Sequence, residues 1–161
     1  MKIYLAGPLG FSESGRAFHK DSVIAEIVRL GHTPLDPWAL TDPAKIAAVQ
    51  RLPYGETRRD AWRALNKEIG ANNAAAIRQC DLVFAVLDGI DVDSGTAAEI
   101  GYAFGQGKPI LGYRSDFRLS ADNEGARVNL QVEYFILENG GTIIDKIGDM
   151  AAALTKTLRA V

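Results

Sequence analysis

Short apolar runs occur at intervals along this chain, and longer segments with helical spacing separate them. The clearest runs are residues 2–7, 81–87 and 109–113, and a shorter extended stretch covers residues 33–36. The run at 81–87 is almost wholly apolar, as expected for an interior strand of a parallel sheet, which is covered on both faces. The pattern therefore predicts strands at these four positions.

Between the runs, apolar residues recur at the spacing of amphipathic helices. This spacing predicts helices over residues 15–30, 57–79, 94–105 and 142–161, and one further helical stretch near 44–52. Residues 128–137 fit either a strand or a turn of helix. Strands that alternate with helices indicate an α/β fold: a flavodoxin- or Rossmann-like parallel sheet of about five strands, with helices on both faces. The length of 161 residues predicts a single domain over 1–161.

Composition narrows the class of protein. The net charge of −2 gives no sign of the basic surface that binds nucleic acid polymers. The apolar runs are shorter than the roughly 20 residues that cross a bilayer, and the first residues lack a signal-peptide pattern, so we expect a cytoplasmic protein without membrane contact. One cysteine, Cys80, excludes an intrachain disulfide, and the two histidines are not spaced as a zinc pair. We expect no metal.

Ligands of an open parallel sheet collect beyond the carboxyl ends of its strands. Three segments leave predicted strands at that edge: residues 7–15, 88–99 and 115–129. The first is rich in Gly and Ser but has neither the Gly-x-Gly-x-x-Gly pattern nor a Walker A lysine, so it does not predict a dinucleotide or nucleotide cofactor. A loop that closes over a small polar ligand fits better.

The second segment concentrates acidic residues. Asp88, Asp91 and Asp93 precede a predicted helix that contains Glu99, and small residues such as Gly95 surround that glutamate. The spacing of the three aspartates is not that of a calcium loop. Structural roles also fit, because Asp is a common helix N-cap and acids at a helix start complement the dipole. A pocket that leaves room for a ligand beside Glu99 is the alternative.

Three segments of the chain resemble the nucleoside 2-deoxyribosyltransferase family. They are Ile3-Tyr-Leu-Ala-Gly-Pro8 with Phe11, the stretch from Asp81 through Asp93-Ser-Gly-Thr-Ala-Ala-Glu-Ile-Gly-Tyr-Ala103 with Gly-Lys-Pro109, and Asn129-Leu-Gln-Val-Glu133. They occur in the order of the family and span nearly the whole chain. The middle segment is the most specific of the three.

The resemblance implies a retaining double displacement on 2′-deoxynucleosides that needs no cofactor. Glu99 corresponds to the nucleophile, which attacks C1′, releases the base and leaves a deoxyribosyl ester. A second nucleobase, or water, then cleaves that ester. By the same resemblance, Tyr4 holds the nucleophile in position and Asp93 grips the sugar 5′-hydroxyl. Gly7, Phe11 and Gly95 belong to the matched motifs and complete this part of the expected substrate site.

Two asparagines extend the implied site. Asn129 corresponds to a residue that reaches the 5′-hydroxyl from a neighbouring subunit, which implies a homo-oligomer, either a dimer or an assembly of dimers. Asn73 stands where many members carry an aspartate that contacts and protonates the base. Asparagine cannot pass on a proton. Either the base is protonated by water or another acid, with Asp88 and Asp91 as candidates, or Asn73 only orients it.

Other readings stay open from the sequence. An N-hydrolase of nucleoside 5′-monophosphates is the nearest rival. Asp93 argues against a phosphorylated substrate, because its carboxylate and a phosphate a few ångströms apart would repel each other by about 1–4 kcal/mol. Arg16, Ser12 and Ser14 argue for one, because they can reach a phosphate. A non-catalytic nucleotide-sensing module on the same fold is the second rival.

The aromatic residues of 36–63 form a flap that stacks on a base, or they pack over the sheet edge or at a subunit contact. They are Trp38, Tyr54 and Trp62.

Overall fold

Five parallel strands form one sheet in the computed structural model, which describes the backbone of residues 1–159 and the side chains of residues 1–157. The strands are β1 (Lys2–Ala6), β2 (Thr33–Leu35), β3 (Leu82–Val86), β4 (Ile110–Tyr113) and β5 (Thr142–Ile144). Their order is β2-β1-β3-β4-β5, and each neighbouring pair is parallel. This is the flavodoxin-type order. The predicted α/β fold is confirmed.

Helices connect the strands and cover both faces of the sheet. They are α1 (Glu13–Phe18), α2 (Ala25–Arg29), α3 (Pro43–Arg51), α4 (Glu56–Gln79), α5 (Ser94–Gly105), α6 (Leu130–Glu138) and α7 (Met150–Arg159). A π-helical turn, His19–Ile24, joins α1 to α2. The helices predicted over residues 15–30, 44–52, 57–79 and 94–105 are present, and 128–137 contributes a helix. Within residues 1–159, no helix combines the length and apolar character needed to cross a membrane.

The prediction of one closing helix over 142–161 is wrong in its first part. Residues Thr142–Ile144 form β5, which pairs with β4, and the helix begins only at Met150. Three consecutive β-branched residues favour a strand. Gly141 permits the close pairing, because a Cβ atom there would lie 1.9 Å from the carbonyl oxygen of Ile110. Residues 160–161 of the predicted helix lie outside the described residues.

The core has two layers because successive residues of a strand face opposite sides of the sheet. Tyr4 and Ala6 of β1 join the cluster under α4, α5 and α6. Ile3 and Leu5 face the other way and pack with residues of α2 and α7. The alternation places the wholly buried phenol ring of Tyr4 on the same face of the sheet as α5.

Candidate active site

A cavity of about 280 Å³ opens beyond the carboxyl ends of β1 and β3. The chain leaves β1 toward one face of the sheet and β3 toward the other, so the cavity lies at the topological switch point, where open α/β sheets bind ligands. Its lining residues are Gly7, Phe11, Pro37, Trp38, Thr41, Ile46, Ile69, Asn73, Asp93, Gly95, Thr96 and Glu99. Six of the eight residues that the sequence suggested for the site are among them.

A seventh, Tyr4, lies directly beneath the cavity. Its hydroxyl donates a hydrogen bond to Glu99 Oε1, with an O···O distance of 2.6 Å. Burial and the charge of Glu99 raise the pKa of Tyr4 far above its ordinary value, so the hydroxyl stays protonated and remains a donor at every physiological pH. The two residues are 95 positions apart in the sequence, so the fold brings them together.

Glu99 is a half-buried carboxyl group in the second turn of α5. Burial raises its pKa above the ordinary value; the Tyr4 hydrogen bond opposes that rise, and the charge of Asp93 adds to it. Among the described residues, only Oε1 receives a hydrogen bond. One oxygen is therefore fixed by Tyr4, and the other is available to a ligand in the cavity.

Asp93 combines a structural role with a place in the cavity wall. Its Oδ2 accepts from the Thr96 backbone N–H at 3.0 Å and from Thr96 Oγ1 at 3.2 Å, so it is the N-cap of α5. The N-cap interpretation is correct, and the side chain also faces the cavity. Asp93 and Glu99 are the charged residues of the lining, which includes no Lys or Arg among the described residues.

Much of the remaining lining is apolar. The ring of Phe11 meets the ring of Trp38 edge-on, with centroids 4.8 Å apart. Ile46 of α3 and Ile69 of α4 belong to the same apolar part of the lining. Sequence reasoning did not identify these two isoleucines, and no local motif marks them, because α3 and α4 reach the site only through the tertiary fold.

Of the three aromatic residues in the middle segment, only Trp38 lines the cavity. Its ring lies against Gly10, where a Cβ atom would come within 2.1 Å of it. Tyr54 is 92% exposed and is covered on one face by Arg58. Trp62 is partly buried on α4, away from the lining. The interpretation of a flap that stacks on a base is therefore limited to Trp38.

Asn73, on α4, contributes a buried amide to the cavity. Its Oδ1 atom has no hydrogen-bond partner within the described part of the chain. A buried carbonyl oxygen without a donor costs free energy. A ligand in the cavity that supplies an N–H or O–H donor would remove that cost.

Several residues suggested by the sequence lie away from the cavity. Asn129 is the N-cap of α6, where its Oδ1 accepts from the N–H groups of Gln131 and Val132 at 3.1 and 3.4 Å. The carboxylate of Asp88 accepts hydrogen bonds from the loop after β4. Asp91 Oδ1 accepts from Val92 N–H. Neither aspartate lines the cavity, so neither is placed to protonate a leaving base there.

Two of the three residues suggested for a phosphate make hydrogen bonds within their own segment. The Arg16 guanidinium donates to the carbonyl of Gly10, and the Ser12 hydroxyl caps α1. Arg16, Ser12 and Ser14 are not lining residues. Across the described residues, no group of three or more His, Cys, Asp or Glu side chains is arranged to hold a metal ion.

A sequence model of the nucleoside 2-deoxyribosyltransferase family matches residues 3–131, which include β1 from Ile3 onward, β2 to β4 and the whole cavity lining. The chain belongs to this family. Family membership confirms the resemblance suggested by the three motifs and makes the chain a member of an enzyme family. No curated protein sequence matches the chain significantly.

Solved structures share the fold over nearly their full length. The 2-deoxyribosyltransferase of Leishmania mexicana is 26% identical, with 98% of this chain and 97% of that one covered and a TM-score of 0.62. The 2-deoxyribosyltransferase of Bacillus psychrosaccharolyticus is 24% identical (93% and 90% covered, TM-score 0.63). The CMP N-glycosidase of Clostridium botulinum is 19% identical (96% and 98% covered, TM-score 0.56). The last two likenesses show the fold alone.

Proposed function

We propose that this family member is a nucleoside 2-deoxyribosyltransferase that exchanges the base of 2′-deoxynucleosides through a deoxyribosyl ester of Glu99. The observation that carries the proposal is the 2.6 Å hydrogen bond from Tyr4 to Glu99 at a cavity lined by two acidic residues and by several apolar ones. The acidic residues suit the hydroxyl groups of a sugar, and the aromatic and aliphatic residues suit a planar base.

The proposed first step is attack of Glu99 Oε2 on C1′ of the deoxyribose. The C1′–N bond breaks, and its electron pair leaves with the base, which takes up a proton. A ring nitrogen of a second nucleobase then attacks C1′ and gives up its proton to solvent, while the C1′–O bond of the ester breaks and its electron pair returns to Glu99 as a carboxylate. Tyr4 holds Oε1 throughout, so the carboxylate meets C1′ in one orientation, as in retaining glycosidases. No cofactor enters this chemistry.

Asn73 is proposed to orient the base rather than protonate it. Its side-chain amide is able to donate and to accept hydrogen bonds but has no proton to release to the base. In that case solvent supplies the proton to the leaving base. Asn73→Asp would then add an acid that the parent lacks and would change the pH profile of base release. An identical profile in the two proteins would contradict this role.

We propose a nucleoside rather than a 5′-monophosphate as the substrate because of the charges in the cavity lining. Asp93 and Glu99 are both acidic, and no Lys or Arg of the described residues joins them there. A phosphate dianion near Asp93 would be repelled, whereas a 5′-hydroxyl would donate to its free oxygen. The fold likeness to a CMP N-glycosidase supports the competing proposal, nucleotide hydrolysis.

A chromatographic assay with 2′-deoxyinosine or thymidine, with and without free adenine, tests the proposal. A new deoxyadenosine peak is expected. Base release without exchange would favour a hydrolase, and the assay would then be repeated with 5′-monophosphates; no reaction with either set would favour a sensing module. Glu99→Ala should abolish the reaction, and Glu138→Ala, at an exposed glutamate of α6, is the matched control.

The site is proposed to be completed by Asn129 of a neighbouring copy of the chain. Asn129 lies outside the cavity of its own chain. The cap hydrogen bonds are accepted by its Oδ1, and its amide nitrogen takes no part in them. Mixing Glu99→Ala protein with Asn129→Ala protein should restore activity, because a mixed site would hold one intact copy of each residue. Failure of two inactive variants to complement each other, or a monomer in sedimentation, would contradict the shared site.

A further inference from the structure

His19 and Asp36 make a buried polar contact that the proposed chemistry does not use. His19 Nε2 lies 3.1 Å from Asp36 Oδ1, and the two side chains are 11% and 17% exposed. The contact is a close polar approach, and its geometry is not that of a well-aligned hydrogen bond. His19 begins the π-helical turn between α1 and α2. Such turns are rare in proteins, and those that occur are often found at functional sites.

Asp36 controls the turn that presents Trp38 to the cavity. It directly follows β2, and its Oδ1 accepts a hydrogen bond from the Trp38 backbone N–H at 3.1 Å. Its carbonyl accepts from the Ala39 N–H at 2.9 Å. An aspartate that binds the N–H two residues later fixes the local backbone. The same carboxylate oxygen therefore meets both His19 and the backbone of Trp38.

The segments after β1 and β2 are thus tied together at two places. One is the ring of Trp38, which lies on Gly10 and meets Phe11 edge-on. The other is the contact between His19 and Asp36. Both contacts help to fix the position of the Trp38 ring in the cavity wall.

We propose that His19 is a positioning residue that acts through Asp36 to hold Trp38 in the cavity wall and thereby sets the affinity of the site for the planar ring of its substrate. The statement about affinity rests on the proposed function, and the statement about the position of Trp38 does not. Asp36 is the less suitable residue to substitute, because its charge also raises the pKa of Tyr4. Substitutions at His19 leave that charge in place.

The matched pair His19→Leu and His19→Gln tests the contact. Both side chains fill most of the volume of His19, but only Gln can donate to Asp36. In a Trp62→Phe background Trp38 is the only tryptophan, since the chain has two. Without any ligand, acrylamide should quench the fluorescence of Trp38 at least about twofold more strongly in His19→Leu than in the parent. In His19→Gln the quenching should equal that of the parent. His19→Met replaces the Leu variant if that variant does not fold.

The kinetic measurement follows with a 2′-deoxynucleoside that the parent uses. KM should rise by about 3- to 10-fold in His19→Leu, as expected if Trp38 then lies in the cavity wall for only about a third to a tenth of the time. The kcat should stay within about twofold, because a group that acts only on binding leaves the chemical step unchanged. His19→Gln should restore the KM of the parent.

Three results would overturn the proposal. Equal quenching of Trp38 in the Leu and Gln variants would show that the contact does not position the ring. A Trp38 ring that moves without a change in KM would break the link to affinity. A fall in kcat at constant KM would place His19 in the chemical step. If no deoxynucleoside reacts, the proposed function fails, and the quenching result still decides the role of His19.

Discussion

Replacing Tyr4 by Phe removes one oxygen atom and, with it, the hydrogen bond that Glu99 Oε1 accepts at 2.6 Å. The ring itself is wholly buried, and Phe fills the same space. The variant therefore keeps its core packing and loses one charge-assisted hydrogen bond. Two effects on activity follow, one on rate and one on pH dependence.

A hydrogen bond to a charged group contributes about 1.5–3 kcal/mol. If that energy is lost from the transition state, kcat/KM falls by roughly 10- to 100-fold, at about 1.4 kcal/mol for each factor of ten. The Tyr4 hydrogen bond also lowers the pKa of Glu99 against the effect of burial. Glu99 attacks as a carboxylate, so without Tyr4 its pKa rises and the acid limb of the pH profile moves to higher pH.

The assay is base exchange followed by chromatography at a series of pH values, with kcat/KM determined at each. Tyr113→Phe is the control, because Tyr113 is also a buried tyrosine of the sheet but lies outside the cavity lining and packs on Phe84. The control should retain parent activity. A Tyr4→Phe variant with less than about a threefold loss and an unmoved acid limb would refute the reasoning that Tyr4 acts on Glu99.

Three further predictions follow from the same contacts. Glu99→Gln should remove activity but raise the melting temperature at neutral pH. Burial raises the pKa of Glu99, so the ionised carboxylate destabilises the folded protein at every pH above the pKa of Glu99 in the unfolded chain. At a pH below that unfolded-state pKa, the variant and the parent should melt at the same temperature. Asp93→Asn should keep the N-cap of α5 and the melting temperature of the parent, yet reduce the preference for nucleosides over 5′-monophosphates. Asp93→Ala should reduce that preference too, and its free energy of unfolding in denaturant should fall by about 1 kcal/mol. Gly10→Ala should displace Trp38, because its Cβ would lie 2.1 Å from the ring, and should raise KM severalfold; kinetics like those of the parent would contradict this.

Much of the fold was predictable because its signals are local. Interior strands such as β3 are continuous apolar runs, and the ends of α5 are marked by Asp93 and by the glycines that follow it. β5 was not predicted because Thr142–Ile144 is only three residues long and a helix follows it a few residues later, from Met150. Its pairing with β4 is a long-range contact that periodicity does not encode.

For the candidate site, the sequence by itself determined which polar groups lie at the sheet edge. The order of strands and helices places Gly7, Asp93 and Glu99 after strands whose carboxyl ends meet, and the motif around Glu99 indicated the family. These inferences need only the chain direction and the parallel topology. They do not depend on side-chain packing.

The tertiary structure decided the shape and the chemical character of the cavity. It set the Tyr4 hydroxyl 2.6 Å from Glu99 and brought Trp38, Ile46 and Ile69 into the same lining. It also tied His19 to Asp36 and left Asn129 outside the cavity of its own chain. Local patterns record which face of a helix is buried, whereas the residues that meet across a cavity depend on how separate helices pack on the sheet.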